Sequence, residues 1–258
     1  MELNWEFDRY LASIYRSSGY LHCIEEIEFI DFKEFVGLEK EIALLCQNTQ
    51  SFLSNRECVN VLLWGARGCG KSSLIKALLG KYAKEGLRVL QILKQDLQKI
   101  PEIFDYLRNK PYKFIIFCDD LSFDRDEKEY KALKTFLEGS IEAFPKNILI
   151  YATSNRRHLL QQFHDENEIF GFEGDEDKIA LSDRFPLCIG FYSYGHKEYL
   201  EVLAQCFKKS NIYDEFAHIQ QKAINYATQK GSKSPRIAKQ FFKLYQSGLI
   251  DILYKERE

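Results

Sequence analysis

The 258-residue chain lacks the features that mark several large classes of protein. Its seven cysteines include no C-x-x-C pair, and several lie inside apolar runs, which favours reduced thiols over a disulfide framework or a metal cluster. No stretch approaches 18 consecutive apolar residues, and no basic segment followed by an apolar one opens the chain. A net charge of −2 excludes a generally basic, polyanion-binding surface. These absences predict a soluble, cytoplasmic protein without a membrane partner.

A glycine-rich stretch, Gly65-Ala-Arg-Gly-Cys-Gly-Lys71-Ser72, lies between the apolar run 59–64 and a helical pattern that begins at Lys71. A strand that stops at such a turn before a helix directs backbone N–H groups and the positive end of the helix dipole at one small volume. The sequence therefore predicts a nucleoside triphosphate site, with Lys71 on the outer phosphates and the Ser72 hydroxyl on Mg²⁺. The alternative is an ordinary strand, turn and helix with chance glycines. The predicted cofactor-binding residues of this stretch are Gly65, Gly68, Cys69, Gly70, Lys71, Ser72 and Ser73.

Apolar strand candidates alternate with helical patterns through the middle of the chain. Continuous apolar strands separated by helices predict an α/β fold with a parallel sheet covered on both faces, and ligands of such sheets gather at the carboxyl ends of the strands. The predicted strands are 59–64, 87–93, 113–118, 147–153 and 187–191, and the predicted helices are about 72–84, 97–108, 127–143 and 155–163.

Both ends of the chain are predicted to be helical. Residues 1–33 carry many aromatic side chains at helical spacing, which predicts one or two helices. After residue 192, helical patterns at 195–209, 213–229 and 234–247 predict a small all-helical domain. The predicted division of the chain is an N-terminal helical segment at 1–33, a nucleotide-binding core at 34–192 and a helical domain at 193–258.

Two carboxylates, Asp119 and Asp120, end the third predicted strand 48 residues after Lys71. They are expected at the same sheet edge as the glycine-rich stretch, where Asp119 is predicted to hold Mg²⁺ directly or through its water shell. Asp120 is predicted to act as the base that orients an attacking water. Because Asp is shorter than Glu, either the water lies closer or hydrolysis is slow. The alternative is that one of the pair caps the following helix.

Asn155 closes the fourth predicted strand within Tyr151-Ala-Thr-Ser-Asn155-Arg-Arg157. An amide at this height can bind a γ-phosphate or its attacking water, so Asn155 is predicted to sense the state of the nucleotide. A helix cap is the alternative, and both roles can coexist. The sequence does not decide whether Arg156 and Arg157 pair with phosphates, contact a neighbouring subunit or face water.

Two further arginines are candidates for contact with phosphate. Arg184 precedes the last predicted strand and is predicted to project into the site of a neighbouring subunit, which requires an oligomer. Its alternative is a weak surface pair with Asp183. Arg236 follows Pro235 at the start of the last helical pattern and is predicted to touch the γ-phosphate and couple nucleotide state to domain angle. Its alternative is a solvated helix residue.

In this order the motifs resemble those of the AAA+ ATPases, and closely those of an uncharacterised bacterial AAA+ family, a domain of unknown function. The similarity runs from Phe35-Val-Gly-Leu38 to about Phe242. It implies a P-loop AAA+ core with a five-stranded parallel sheet in the order 5-1-4-3-2, a helical lid, ATP with Mg²⁺, and assembly of identical subunits into a ring or arc. The implied roles are Walker A for Lys71 and Ser72, Walker B for Asp119 and Asp120, sensor 1 for Asn155, arginine finger for Arg184 and sensor 2 for Arg236.

The chain departs from the family pattern at three places, namely Cys69, Pro186 and Ser234-Pro235. Cys69 is either simple filler or, because it lies close to Lys71, a thiol whose lowered pKa would make it a redox brake.

The expected function is an oligomeric ATPase whose hydrolysis remodels a macromolecular partner, with protein favoured over nucleic acid. The alternative is an ATP-gated adaptor or loader-like module with little hydrolysis. A GTPase is disfavoured because Asn109-Lys110-Pro111-Tyr112 lacks the acidic residue of the guanine-reading N-K-x-D pattern. A small-molecule phosphotransferase is a further alternative. Two surfaces stay open as docking sites: the segment 165–177, with seven acidic residues in thirteen, and a basic group of Lys230, Lys233, Arg236, Lys239 and Lys243.

Overall fold

The computed structural model of the protein describes residues 3–123, 127–138, 143–157, 159 and 184–254. Within these ranges seven strands form one sheet, in the order β2-β1-β4-β5-β6-β3-β7. Every neighbouring pair is parallel except β1 with β2. The strands are β1 (Ala12–Arg16), β2 (Tyr20–Cys23), β3 (Val61–Gly65), β4 (Leu87–Ile92), β5 (Lys113–Cys118), β6 (Ile148–Ser154) and β7 (Leu187–Phe191).

The sheet confirms the predicted α/β class and corrects the predicted five strands in the order 5-1-4-3-2. It has seven strands, and its full order differs because β1 and β2 extend it beyond β4. The five predicted strands, now β3 to β7, are all present and keep their positions relative to one another, with β3 between β6 and β7. Because β3 to β7 are parallel, their carboxyl ends share one edge, which is where a ligand site is expected.

The N-terminal segment was predicted to be helical, and this prediction is wrong. Residues 12–23 form a hairpin whose turn contains Gly19 with a φ of +87°, and β1 pairs in parallel with β4. Trp5 is buried, and its indole N–H donates to the carbonyl of Tyr10. The aromatic spacing suggested a helix, but the open edge of β4 offers backbone partners that only a strand can use.

Helices cover the sheet on both faces. Leucines 62 and 63 of β3 point to opposite sides and belong to two separate apolar clusters. One cluster joins the sheet to α1 (Glu39–Leu53) and α2 (Lys71–Tyr82), and the other joins it to α3 (Ile100–Leu107) and α4 (Lys128–Glu138). Three of the predicted core helices therefore correspond to α2, α3 and α4. The predicted helix at 155–163 and the acidic segment 165–177 lie outside the described residues, apart from residues 155–157 and 159.

The C-terminal part of the chain is helical, as predicted. It comprises α5 (His196–Lys209), α6 (Phe216–Gln229), α7 (Pro235–Gln246) and the short α8 (Leu249–Leu253). These helices share an apolar cluster of their own, which also includes Val36 from the segment before α1. Their status as a separate domain, and the division at residues 34 and 193, stay predictions. No helix among the described residues has both the length and the apolar character that crossing a membrane requires.

Candidate nucleotide-binding site

The glycine-rich loop, residues 65–72, joins the carboxyl end of β3 to the first turn of α2. Gly65 has a φ of +119°, and a Cβ atom there would lie 2.1 Å from the carbonyl oxygen of Phe191, so only glycine fits. Gly70 has a φ of +98° and immediately precedes the helix. The loop therefore brings the free N–H groups of the α2 N-terminus to the carboxyl edge of the sheet, as an anion site requires.

Lys71 lies in this loop with only 8% of its surface exposed. Its ammonium group donates to the carbonyls of Gly65 at 2.7 Å and Ala66 at 2.9 Å, and lies 3.4 Å from Oδ1 of Asn155. Burial lowers the pKa of Lys71, and the nearby carboxylates of the sheet edge oppose that shift. The side chain is therefore a desolvated cation held beside a helix N-terminus, which favours an anionic ligand.

Ser72 and Asp119 meet where α2 and β5 converge. The Ser72 hydroxyl donates to Oδ1 of Asp119 at 2.7 Å, and the hydroxyl of Thr153 donates to the same oxygen at 2.6 Å. Hydroxyl and carboxylate oxygens are the ligands that Mg²⁺ takes in proteins, and here they adjoin the loop that would hold phosphates. The chemistry of this donor set suits Mg²⁺ bound together with a nucleotide, and the predicted roles of Ser72 and Asp119 as metal ligands stay predictions.

Asp120 and Asn155 form the outer part of the site. Asp120 is exposed and has a φ of +54°, a left-handed conformation that is uncommon for a residue other than glycine. Its backbone N–H donates to Oγ1 of Thr153 at 2.8 Å, and its Oδ1 accepts a short hydrogen bond from the amide of Asn155. Asn155 therefore contacts both Lys71 and Asp120, so one amide links the predicted phosphate-binding lysine to the predicted catalytic base.

The start of α7 contacts the glycine-rich loop directly. The backbone N–H of Arg236 points to the carbonyl of Gly68 at 3.4 Å, and a Cβ atom on Gly68 would lie 2.8 Å from Oγ of Ser234. Arg236 also lies close enough to Lys71 to lower its pKa. The structure thus brings Arg236 to the candidate site, from an element that is 165 residues further along the chain than Lys71.

These elements enclose a cavity of about 700 Å³, within the size range of small-molecule sites. Its polar wall is the loop with Ser73, Asp119, Asp120 and Asn155, and α7 adds Arg236, Lys239, Gln240 and Lys243. An apolar wall was missed by the sequence prediction and comprises Ile30, Phe35, Val36, Tyr194 and Val202. Tyr194 donates to the carbonyl of Val36 at 2.6 Å. Only the Phe35-Val-Gly-Leu38 motif hinted at this wall.

Two predicted site residues do not line this cavity: Gly65, which begins the loop, and Arg184, which lies far from it. Arg184 is exposed, and it lies three residues before β7, at the amino end of a strand whose carboxyl end pairs with Gly65. There it lines a second cavity of about 400 Å³ together with Asn60 and Pro186. The side chain cannot serve the site of its own chain from this position, and the predicted role in a neighbouring subunit stays open.

Cys69 is buried in the loop with 1% of its surface exposed, and its thiol lies 3.4 Å from the carbonyl of Tyr192. Burial raises the pKa of Cys69, and Lys71 offsets this only in part. The alternative of a lowered thiol pKa is therefore wrong, because desolvation exceeds the effect of the nearby cation. The packed, protonated thiol fits the simple filler role.

The fold and the loop define a parallel α/β sheet with a glycine-rich, anion-binding type of loop at its carboxyl edge. A family model described as "Protein of unknown function (DUF815)" matches residues 8–249, so the chain belongs to that family. No curated protein matches the sequence.

Among solved structures, the chain is similar to RuvB of Thermotoga maritima. One RuvB variant aligns at 18% identity and a TM-score of 0.56 over 86% of this chain and 66% of the RuvB chain. A second variant aligns at 16% identity and a TM-score of 0.55 over 88% and 67%. This chain thus spans about two thirds of the length of those RuvB chains. At such identities the likeness concerns the fold alone.

Proposed function

We propose that the protein is an Mg-ATP-dependent ATPase of AAA+ type that acts as a homo-oligomer on a macromolecular partner. The observation that carries the proposal is the convergence of Lys71, Ser72, Asp119, Asn155 and Arg236 on one cavity. These residues come from the loop, three elements of the core and the C-terminal helices. A chance glycine turn would not gather such a set.

Each of these residues has a proposed role. The loop N–H groups and Lys71 bind the phosphates, and Ser72 and Asp119 hold Mg²⁺. Bound Mg²⁺ would neutralise the charge that develops on the phosphate oxygens. Asp120 accepts a proton from the attacking water, and Asn155 orients that carboxylate through the hydrogen bond it already makes. Arg236 contributes positive charge from α7.

A neighbouring copy is proposed to complete the site through Arg184, because this exposed side chain lies at the far end of β7. In such an assembly one surface of a subunit contacts a different surface of the next subunit, which is a head-to-tail interface. Interfaces of this kind build a ring when the rotation between subunits closes, and an open arc when it does not. Protein is the favoured partner, because the net charge of −2 gives no general attraction to nucleic acid. A cytoplasmic location stays part of the proposal.

Nucleotide titrations with steady-state kinetics test the proposal. Wild-type protein is expected to bind Mg-ATP saturably and to release phosphate at a rate per subunit that rises with protein concentration, as subunits assemble. Lys71→Ala should lose binding, whereas Asp120→Asn should bind and not turn over. Lys76→Ala is a matched control, because Lys76 is an exposed lysine on the same helix and lies outside the cavity. Absence of saturable binding by the wild type would refute the proposal.

A second candidate is an ATP-gated adaptor that hydrolyses little ATP. The observation in its favour is Asp120, a short carboxylate whose Oδ1 is already bonded to Asn155. In this case wild-type protein and Asp120→Asn would bind Mg-ATP equally and would both show negligible turnover, even with a captured partner added. Capture on Asp120→Asn with Mg-ATP, with Lys71→Ala as the negative control, would supply that partner.

A further inference from the structure

Thr153 lies at the end of β6 with only 2% of its surface exposed, and its side chain touches both carboxylate-bearing residues of the candidate site. The ladder between β5 and β6 ends at the pair Cys118 and Ala152, so the next pair along is Asp119 and Thr153. Beyond this pair, hydrogen bonds of the Thr153 side chain join β6 to the residues that follow β5.

The hydrogen bonds of this hydroxyl have only one consistent direction. An ionised carboxylate is only an acceptor, so Thr153 Oγ1 must donate its single proton to Oδ1 of Asp119 at 2.6 Å. Its lone pair then accepts the backbone N–H of Asp120 at 2.8 Å. The carbonyl of Thr153 accepts the N–H of Leu121 at 2.7 Å. One residue therefore holds three consecutive positions after β5.

We propose that Thr153 is a positioning residue for metal binding and turnover, acting through Asp119 and Asp120. This inference rests on the proposed ATPase function. With Ser72 and Thr153 both donating to the same oxygen, the Asp119 carboxylate is fixed in rotation, and its other oxygen is left for metal or its waters. The bond to the Asp120 N–H anchors the left-handed backbone that directs the Asp120 side chain to Asn155.

Removing the hydroxyl should therefore weaken Mg²⁺ binding and lower turnover, with little change in the affinity for ATP. Thr153→Val keeps the branched shape, loses both hydrogen bonds and places a methyl group where an oxygen stood 2.6 Å from Asp119. Because bonds to charged groups are the strong ones, we expect the Mg²⁺ concentration for half-maximal turnover to rise about tenfold or more and kcat to fall by a similar factor. ATP affinity measured in EDTA should stay within about twofold, since Lys71 and the loop are unchanged. Thr153→Ser, which restores the hydroxyl, should recover most of the Mg²⁺ response.

Thr49 supplies a matched control. Its buried hydroxyl bonds to Tyr151, two residues before Thr153 on the same strand, and neither Thr49 nor Tyr151 lines the cavity. Thr49→Val should lower thermal stability without moving the Mg²⁺ response. If Thr153→Val fails to fold, Thr153→Ala carries the same test, because it removes the hydroxyl without adding a methyl group near Asp119.

The outcomes separate this inference from the proposed function. Should wild-type protein bind no Mg-ATP, both are overturned. If it binds Mg-ATP but turns over too slowly to measure, the Mg²⁺ dependence of ATP affinity replaces turnover as the readout. A folded Thr153→Val or Thr153→Ala protein with a wild-type Mg²⁺ response overturns the positioning role alone. So does an equal shift in Thr49→Val, since that would reflect loosening of β6 as a whole.

Discussion

The proposed role of Arg184 in a neighbouring copy makes a sharp prediction for pairs of inactive variants. Arg184→Ala should bind Mg-ATP with near-wild-type affinity, because Arg184 lies outside the cavity of its own chain. Its turnover should fall about a thousandfold or more, the effect that arginine fingers have on phosphoryl transfer. Lys71→Ala should be equally inactive for a different reason, since it lacks the phosphate-binding ammonium group.

The geometry is the reason why any effect of Arg184 on turnover is expected to come from a neighbouring copy. Gly65 pairs with Phe191 at the carboxyl end of β7, and Arg184 precedes the amino end of that strand. A strand of the five residues Leu187–Phe191 rises roughly 17 Å, which exceeds the reach of an arginine side chain. An Arg184 side chain therefore serves a site only if that site belongs to another copy.

Mixing the two variants tests this geometry. In a random equal mixture, a site is complete when an Arg184→Ala subunit, with its loop intact, faces a Lys71→Ala subunit, with its arginine intact. In a head-to-tail assembly this holds at about one interface in four, so the mixture should recover roughly a quarter of wild-type phosphate release. Mixed assembly is verified by native mass spectrometry of differently tagged subunits. Mixed oligomers without recovered activity, or an Arg184→Ala protein with wild-type turnover, would show that the reasoning is wrong.

Three further predictions concern the loop and its contacts. Gly68→Ala places a methyl group 2.8 Å from Oγ of Ser234 at a φ of +75°, so calorimetry should show a loss of about 1–3 kcal/mol and ATP titration a weaker affinity. Tyr194→Phe removes one partly buried hydrogen bond to Val36 and should cost about 1 kcal/mol in chemical denaturation, and an unchanged midpoint would contradict that role. Because burial raises the pKa of Cys69, its thiolate forms only at more alkaline pH than in a free thiol. Iodoacetamide labelling of the folded protein, followed by mass spectrometry, should therefore be slow near neutral pH and reach the unfolded rate only after denaturation.

The sequence predicted the parts of the fold that depend on local pattern. Strands such as Lys113–Cys118 are continuous apolar runs, and α2 begins where the glycine-rich loop ends. The hairpin at 12–23 was missed because β1 has only five residues and owes its conformation to pairing with β4, about 75 residues away. No local pattern in such a short segment reports an open strand edge elsewhere in the chain.

In the candidate site, too, some residues follow from a local sequence pattern and others depend on contacts between distant parts of the chain. Lys71, Ser72 and Asp119 were predicted because a loop and the end of a parallel strand place them at one edge whatever the rest of the chain does. The contact between Tyr194 and Val36 spans 158 residues and arises only from packing of the C-terminal helices, so the sequence gives no pattern for it. Thr153 was quoted within a motif, yet its central hydrogen bonds follow from the register of β5 and β6.

Two polar contacts that the described residues make between the C-terminal part of the chain and the core are individually weak, which bears on how bound nucleotide would act. Lys209 and Glu34 form an ion pair at 2.7 Å, but the lysine side chain is 58% exposed, so it contributes about 1 kcal/mol or less. The hydrogen bond of Tyr194 adds an amount of the same order. A ligand that binds one arrangement of these helices a hundredfold better than another changes the free-energy difference between the two arrangements by about 2.8 kcal/mol, which exceeds the contribution of either polar contact. Since α7 touches the loop at Gly68, a nucleotide held by the loop and by Arg236 would act directly on the position of these helices.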